Sequence, residues 1–432
     1  MPPATFVMPG VARLRGRLPG FLRRLSVGQG LALLAAYALL ATQALAGAGS
    51  PLRYVARSDF RAALTGAEIL VTGRATLLYD RATQSAVQTD LARAAGYAEP
   101  IQLLPFIHTP LELVLVAPLR ALGLSPVGIF ALWTVLSLLA LAGAIAALQA
   151  GRPAPRPWRA PAALAVLTFY PLVISILLGQ ATAFLLLALA LALLALRRGR
   201  DGWAGGALAL VLIKPQFLIG VLLALLLLRR WRALLSFGAT AGALGLGSLL
   251  LLGPGWPAAF LRISLSVGGY PPDPTSDPAN MPNWRGLLVG LLGDSPATPV
   301  LTTALAALTL LALCAVCRRI GRRAPAAGQP EWDRLWALIL CATLLGTLYL
   351  QRHDAGLFVL PAWLLVTDAG PQAGAWRGWV AVGWVAGLLV TTSVLPVPPL
   401  ALWLVLTAGA LAWQVVRPAA PGPSTRPAPA PS

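Results

Sequence analysis

Charge is scarce in this sequence. Only 11% of its 432 residues are charged, while 58% are apolar. A soluble protein of this length has too little interior to hide so much Leu, Ala and Val, so lipid must solvate much of the chain. Three cysteines are too few for a disulfide framework. The Cys314-x-x-Cys317 spacing lies within TALAALTLLALCAVC, where it reads as two small buried hydrophobes rather than a redox or metal site. Two histidines exclude a His-rich metal centre. Lysine occurs once, at position 214; the other 32 basic residues are arginines, against fourteen acids. A net charge of +19 would suit nucleic acid, but the arginines sit in short loops between apolar runs instead of forming a stripe. That placement sets the orientation of a membrane protein, and no nucleic-acid partner is expected. There is no Gly-rich phosphate cradle and no soluble segment large enough for a nucleotide domain. No internal repeat is evident, which counts against a repeat-built transporter.

What the sequence has is apolar runs, at about 26–49, 127–149, 161–178, 182–196, 203–228, 233–252, 298–317, 335–350, 355–367, 378–395 and 399–416. A spanning helix needs roughly 20 residues, so several of these must be tilted or shielded by neighbours. Two shorter pieces, 107–122 and 285–293, read as half-helices. Lys214-Pro215 breaks the 203–228 run, because proline lacks an amide donor and clashes with the preceding turn. The expected fold is an all-α polytopic membrane bundle of about ten to twelve spanning or half-spanning helices. It comprises a basic tail (1–25), a membrane domain (26–417) and a Pro/Ala-rich tail (418–432). The arginine-rich start followed by GLALLAAYALLATQALAGAGS is similar to a secretory signal, but the apolar stretch is long enough to span and reads as an uncleaved first helix.

Orientation follows from charge. With the N-terminus in the cytoplasm and the 107–122 and 203–228 pieces each entering and leaving by one face, 22 arginines fall inside, against Asp201, Glu331, Asp333 and Asp368. The inside segments then carry +18, and the outside, with eleven cations and ten acids, carries +1. This asymmetry is what the positive-inside rule demands. The outside receives two sizeable loops, 50–106, with helical stretches near 59–72 and 83–95, and 253–284, rich in Pro and Gly.

Polar residues at membrane depth are costly and are therefore functional candidates. Here they share one side. Asp59 opens the first loop, and His108 and Glu112 lie four apart on one face of a half-helix. Gln180 caps a helix pair, Lys214 sits at the proline break, and Asn283 and Arg285 end the second loop. Arg352, His353 and Asp354 lie between two later helices. Plainer roles stay open for each: Asp59 as a helix-start acid beside Ser58, His108 bonded to Glu112, Gln180 as a turn residue, Lys214 paired with an acid, Arg352 paired with Asp354. Metal ligands drawn from Asp59, Glu112 and Asp354 are conceivable, though their spacing requires none; no cofactor is expected.

At these residues the chain resembles glycosyltransferase family 87, bacterial membrane enzymes that use polyprenyl-phosphate sugars. The matching pieces are SDFRAALTGAEILVTGRATLLYDRATQ, PFIHTPLELVLVAPLRALG with Trp133 beyond it, LLGQATAFLLLALALALLALRRGRDGWAGGALALVLIKPQ, RRWR, MPNWRGLL and RHDAGLFVLPAW. Departures are Arg61-Ala62-Ala63-Leu64, where the family carries a Tyr, and Trp284 in place of Leu. The resemblance implies that Asp59 is the general base. The chemistry agrees: a lipid-phosphate leaving group calls for fixed cations, a role that suits Lys214 with Arg285 or Arg352, and Gln180, His353 and Asp354 would then bind sugar hydroxyls; His108, Glu112 and Asn283 complete the candidate set. Direct displacement with inversion is expected. The reaction would move a hexose (mannose is the family's best-known case) or a pentose to a glycan or glycolipid acceptor, outside a bacterial inner membrane. Two other classes stay open: a transporter or lipid flippase, and a non-catalytic partner in envelope assembly.

Overall fold

The computed structural model describes residues 27–28, 30–39, 41–99, 101–266, 278–321, 325–327, 329–368, 372–389 and 397–416. Both tails, and part of the second loop, lie outside the described residues. Among those residues all regular structure is helical, as expected. The first helix, α1 (Gly30–Gly47), is followed by three helices in the 50–106 loop: α2 (Pro51–Arg57), α3 (Phe60–Val71) and α4 (Arg81–Ala94). The sequence reading foresaw the last two but not α2, although its start signal is present: the Ser50 hydroxyl accepts from the Arg53 amide, and Pro51 occupies the first turn. Asp80 caps α4 in the same way.

After α5 (Leu113–Ala121), the 26-residue α6 (Pro126–Gly151) extends for ~39 Å at 1.5 Å per residue, enough to cross a bilayer. The run expected at 161–178 as one helix is instead α7 (Arg159–Leu167) and α8 (Tyr170–Leu178), bent by 46°. Two causes lie in the sequence. The Thr168 hydroxyl donates back to Leu164 O at 2.7 Å, and Pro171, in the first turn of α8, offers no amide to bridge the break. Next come α9 (Thr182–Arg197), α10 (Asp201–Ala209), a 3-10 turn at Leu210–Ile213, the Lys214-Pro215 break and α11 (Ile219–Leu227). The break stands where proline placed it.

The chain continues as α12 (Trp231–Leu252), α13 (Trp256–Leu265), α14 (Trp284–Leu292), α15 (Ala297–Gly321) and α16 (Pro330–Gly346). A 3-10 turn (Asp354–Phe358) leads into α17 (Val359–Val366), then α18 (Ala373–Leu388) and α19 (Pro399–Val416). Among the described residues five helices are long and apolar enough to span (α1, α6, α12, α15 and α19), or six with the bent pair. The remaining apolar runs are half-length pieces that need protein around them. α16 supplies part of that protein: apolar on all sides and buried nearly throughout, it forms the bundle's centre with α9 and α17. α12 is the opposite case: only Ala233 and Leu252 are buried, one face packs along α10, and the other face is left for lipid.

The bundle has two polar ends. α9 runs between them, with Thr182 at one and Arg197 at the other, ~22 Å apart at 1.5 Å per residue. Around Arg197 lies a basic end. There the buried Asp333 is held by Arg197 and by Arg152 Nε at 3.2 Å, and Asp368 by Arg334 at 2.8 Å. Around Thr182 lies the cluster described next.

Candidate active site

Asp59 stands at the junction of α2 and α3. It occupies the N-cap position of α3, but its side chain makes no capping bond. The carboxylate instead accepts from Gln180 Nε2 at 2.8 Å. Gln180 is presented by the turn between α8 and α9. This turn depends on Gly179 at φ +71°, where a Cβ would come within 2.6 Å of Phe60 Cβ. Phe60 in turn packs with Ile129, Trp133 and Ala181, so the packing that seats α3 also fixes Asp59 against Gln180.

Lys214, at the helix break, donates to Gln180 Oε1 at 3.0 Å and to Asp354 Oδ1 at 2.7 Å, and lies 3.5 Å from His353 Nε2. The ammonium on Oε1 and the carboxylate on Nε2 leave the Gln180 amide one consistent orientation. Thr182 Oγ1 donates to Asp354 at 3.2 Å. His353 bridges the two acids, with Nδ1 3.9 Å from Asp59 and Nε2 3.5 Å from Asp354. Five of the sequence candidates (Asp59, Gln180, Lys214, His353 and Asp354) therefore form one connected network.

The other candidates lie around it. His108 and Glu112 bond each other through Nδ1, which is the plainer of the two sequence readings. Thr109 Oγ1 donates to Leu212 O at 2.8 Å, tying this segment to the turn before Lys214. Tyr79 donates to His108 O at 2.9 Å; burial first, and the Glu112 charge second, hold its phenol above its ordinary pKa, so it stays a donor. Asn283 is fully buried and fully engaged: Oδ1 caps α14 through the Arg285 and Gly286 amides, and Nδ2 donates to Thr347 O at 2.8 Å. Its geometry suits a scaffold better than a ligand contact. Arg285 and Arg352 are half-buried and, among the described residues, their guanidinium groups make no hydrogen bond or ion pair. The Arg352–Asp354 pair left open by the sequence does not form, because Asp354 bonds Lys214.

The charges are now distinguishable. Lys214 is paired with Asp354, so among the described residues the candidate cations without an acid partner are the two arginines. Among the carboxylates, the Asp59 side chain is 19% exposed against 1% for Asp354 and 3% for Glu112, so Asp59 is the one that reaches the surface. Sequence reading missed Thr182, whose hydroxyl beside Gln180 was the available signal, and Tyr79, which lies in the first loop and carried none. Among the described residues, no group of three or more His, Cys, Asp or Glu side chains is arranged to hold a metal ion.

A helical bundle of lipid-spanning length with a buried polar network at one end defines a polytopic membrane protein. A family model for glycosyltransferase family 87 matches residues 106–327, just over half of the chain, and the chain belongs to that family. It is a membrane glycosyltransferase. No curated protein and no solved structure matches it. The matched span contains His108, Glu112, Gln180, Lys214, Asn283 and Arg285; Asp59, His353 and Asp354 lie outside it and join the network through geometry alone, and Arg352 lies outside it as well.

Proposed function

We propose that the protein transfers a hexose or pentose from a polyprenyl-phosphate carrier to a glycan or lipid acceptor outside a bacterial plasma membrane. The observation that carries this reading is the half-buried carboxylate of Asp59, the most exposed of the three candidate acids, oriented through Gln180 and joined by it to Lys214, which holds Asp354. Asp59 takes the proton of an acceptor hydroxyl as that oxygen bonds to the sugar's anomeric carbon. The bond from that carbon to the phosphate oxygen breaks, and the lipid phosphate leaves with the electron pair. One base and no second nucleophile favour inversion in a single displacement. The growing phosphate charge calls for fixed cations in a site of low dielectric, and Arg285 and Arg352 suit that role. Lys214, assigned there from sequence, holds Asp354 and Gln180 in place instead.

A lipid-linked donor is favoured because the chain lacks a phosphate cradle and the cluster sits at one end of helices immersed in lipid. The crowd of arginines at the opposite end of α9 supports an extracytoplasmic site with the N-terminus inside. The test is Asp59→Asn in purified, correctly inserted protein supplied with a radiolabelled polyprenyl-phosphate sugar. Loss of a general base lowers turnover by roughly 10²–10⁴-fold. Undiminished transfer would remove the base assignment, and substrate crossing without turnover would favour a transporter.

A further inference from the structure

We infer that the basic end of the protein binds an anionic phospholipid, its acyl chain seated in a cavity between α7, α17 and α18 and its headgroup on Arg377. This does not depend on the transferase reading. The cavity holds about 600 Å³, within the roughly 300–1,000 Å³ of small-molecule sites. Its walls are apolar, from Ala162, Ala165, Val359, Ala362, Val380 and Ala381 among others, and Leu33 of α1 forms part of one side. Arg377 is the one charged residue in the lining among the described residues.

The cavity runs from an inner end to an outer one. Phe169, Phe358 and Leu400, all buried, line the inner end, beside the Asp354–Phe358 turn. At the other end the lining includes Arg377, Pro155 and Trp158. Arg377 bonds Val366 O through Nε at 3.1 Å, and the side chain is otherwise exposed. Exposed Arg156 and Arg159 are close neighbours of Trp158 in the chain, and Arg159 Nε donates to Ala154 O at 3.3 Å, so an indole at the mouth has cations near it, the pairing that meets phosphate headgroups at a membrane interface. Trp384 and Trp363 hold the walls, donating to Ala165 O and Arg152 O, each at 3.0 Å.

Depth selects the occupant. From Arg377 to Val385 the cavity follows α18 for ~12 Å, less than half of the roughly 30 Å hydrocarbon core. That length suits a chain entering from the leaflet at the basic end. An isoprenoid tail whose phosphate lay at the Asp59 end would approach from the opposite side, past the buried Phe169, Phe358 and Leu400 and far from Arg377.

The full-length protein in detergent is offered phosphatidylglycerol or phosphatidylcholine, and retained lipid is counted by native mass spectrometry. One phosphatidylglycerol per chain is expected, in preference to phosphatidylcholine. Arg377→Ala lowers retention about fivefold, the effect of one basic residue at a charged surface, and Ala362→Phe, which fills the cavity, abolishes it. Equal retention of both lipids, or unchanged retention in Ala362→Phe, overturns the proposal, as does displacement of phosphatidylglycerol by polyprenyl phosphate. Should Ala362→Phe not fold, the exposed Arg377→Glu decides: lost preference supports the site, retained preference overturns it.

Discussion

The buried Lys214–Asp354 pair makes a quantitative claim about what holds the site together. Its atoms are 2.7 Å apart, and the side chains are 3% and 1% exposed. Lys214→Met leaves Asp354 with only a Thr182 hydroxyl at 3.2 Å and His353 at 3.5 Å. Asp354→Asn removes the counter-charge and leaves the ammonium on the Gln180 carbonyl. Removing one partner from a buried pair costs roughly 3–5 kcal/mol, because the other charge is stranded away from water. The double variant strands nothing; it loses only hydrogen bonds, on the order of 1–2 kcal/mol. The two substitutions should therefore couple favourably by several kcal/mol instead of adding. Thermal midpoints in detergent, read from the monodisperse fraction after heating, provide the assay. One kcal/mol moves the midpoint by roughly 2–4 °C in domains of 150–250 residues and by less in longer chains, so each single variant should fall by several degrees and the double should recover more than half of that. If the double variant loses the sum of the singles, or the singles melt like the parent, the pair does not stabilise the cluster.

Further outcomes follow from the same geometry. Arg285→Ala and Arg352→Ala should each lower kcat/KM for a lipid-phosphate donor by roughly 10- to 100-fold, the value of a charge-assisted hydrogen bond; donor kinetics unchanged in both would remove the phosphate role. Gly205 of α10 lies so close to α12 that a Cβ would overlap Ala233 O and sit 2.6 Å from Phe237 N. Gly205→Ala should cost roughly 1–3 kcal/mol by overpacking, lowering the folded yield, while Gly202→Ala, with nothing within 4 Å, serves as the harmless control. Asp80 accepts from the Thr83 amide and hydroxyl, each at 2.7 Å, which holds its carboxyl below the usual range. Its folded pKa lies below the unfolded one, so the stabilisation is complete above about pH 4 and is lost as pH falls through the depressed value. The difference in thermal midpoint between the parent and Asp80→Ala should then close in acid, and a constant difference would contradict it.

Period and punctuation made most of the helices legible. The ends of α6, α12 and α15 fall within a few residues of the apolar runs, because lipid forces each apolar run into a helix. The break at Lys214 was legible because proline enforces it locally. The bend before α8 was not, although Pro171 stands beside it: proline in a first turn is compatible with a continuing chain, and the back-bond of Thr168 to Leu164 that completes the break is a side-chain choice. Shared sidedness gathered the candidates, since each polar residue near a helix end has only two surfaces to occupy. Partners were another matter. Lys214 meets Asp354 across 140 residues and Gln180 meets Asp59 across 121. No spacing rule reaches that far, so the sequence left Lys214 open between an acid and a substrate phosphate.

That pairing bears on how the proposed base works. A carboxylate in direct contact with a lysine is a weaker base, because the ammonium favours its charged form. Here the ammonium sits on Asp354, and Gln180 stands between it and Asp59. The amide relays geometry without a full charge: Lys214 fixes Oε1, and Nε2 is thereby aimed at the Asp59 carboxylate. On the proposed mechanism this division of labour is useful, since the base needs a fixed direction toward the acceptor hydroxyl while the cations are needed at the leaving oxygen. Arg285 and Arg352 come from segments joined by the Asn283–Thr347 hydrogen bond, separate from the α2–α3 junction that carries Asp59. On the proposed mechanism, base and anion site would thus be carried by different parts of the fold, which is compatible with a single displacement that has the nucleophile and leaving group on opposite faces of the sugar.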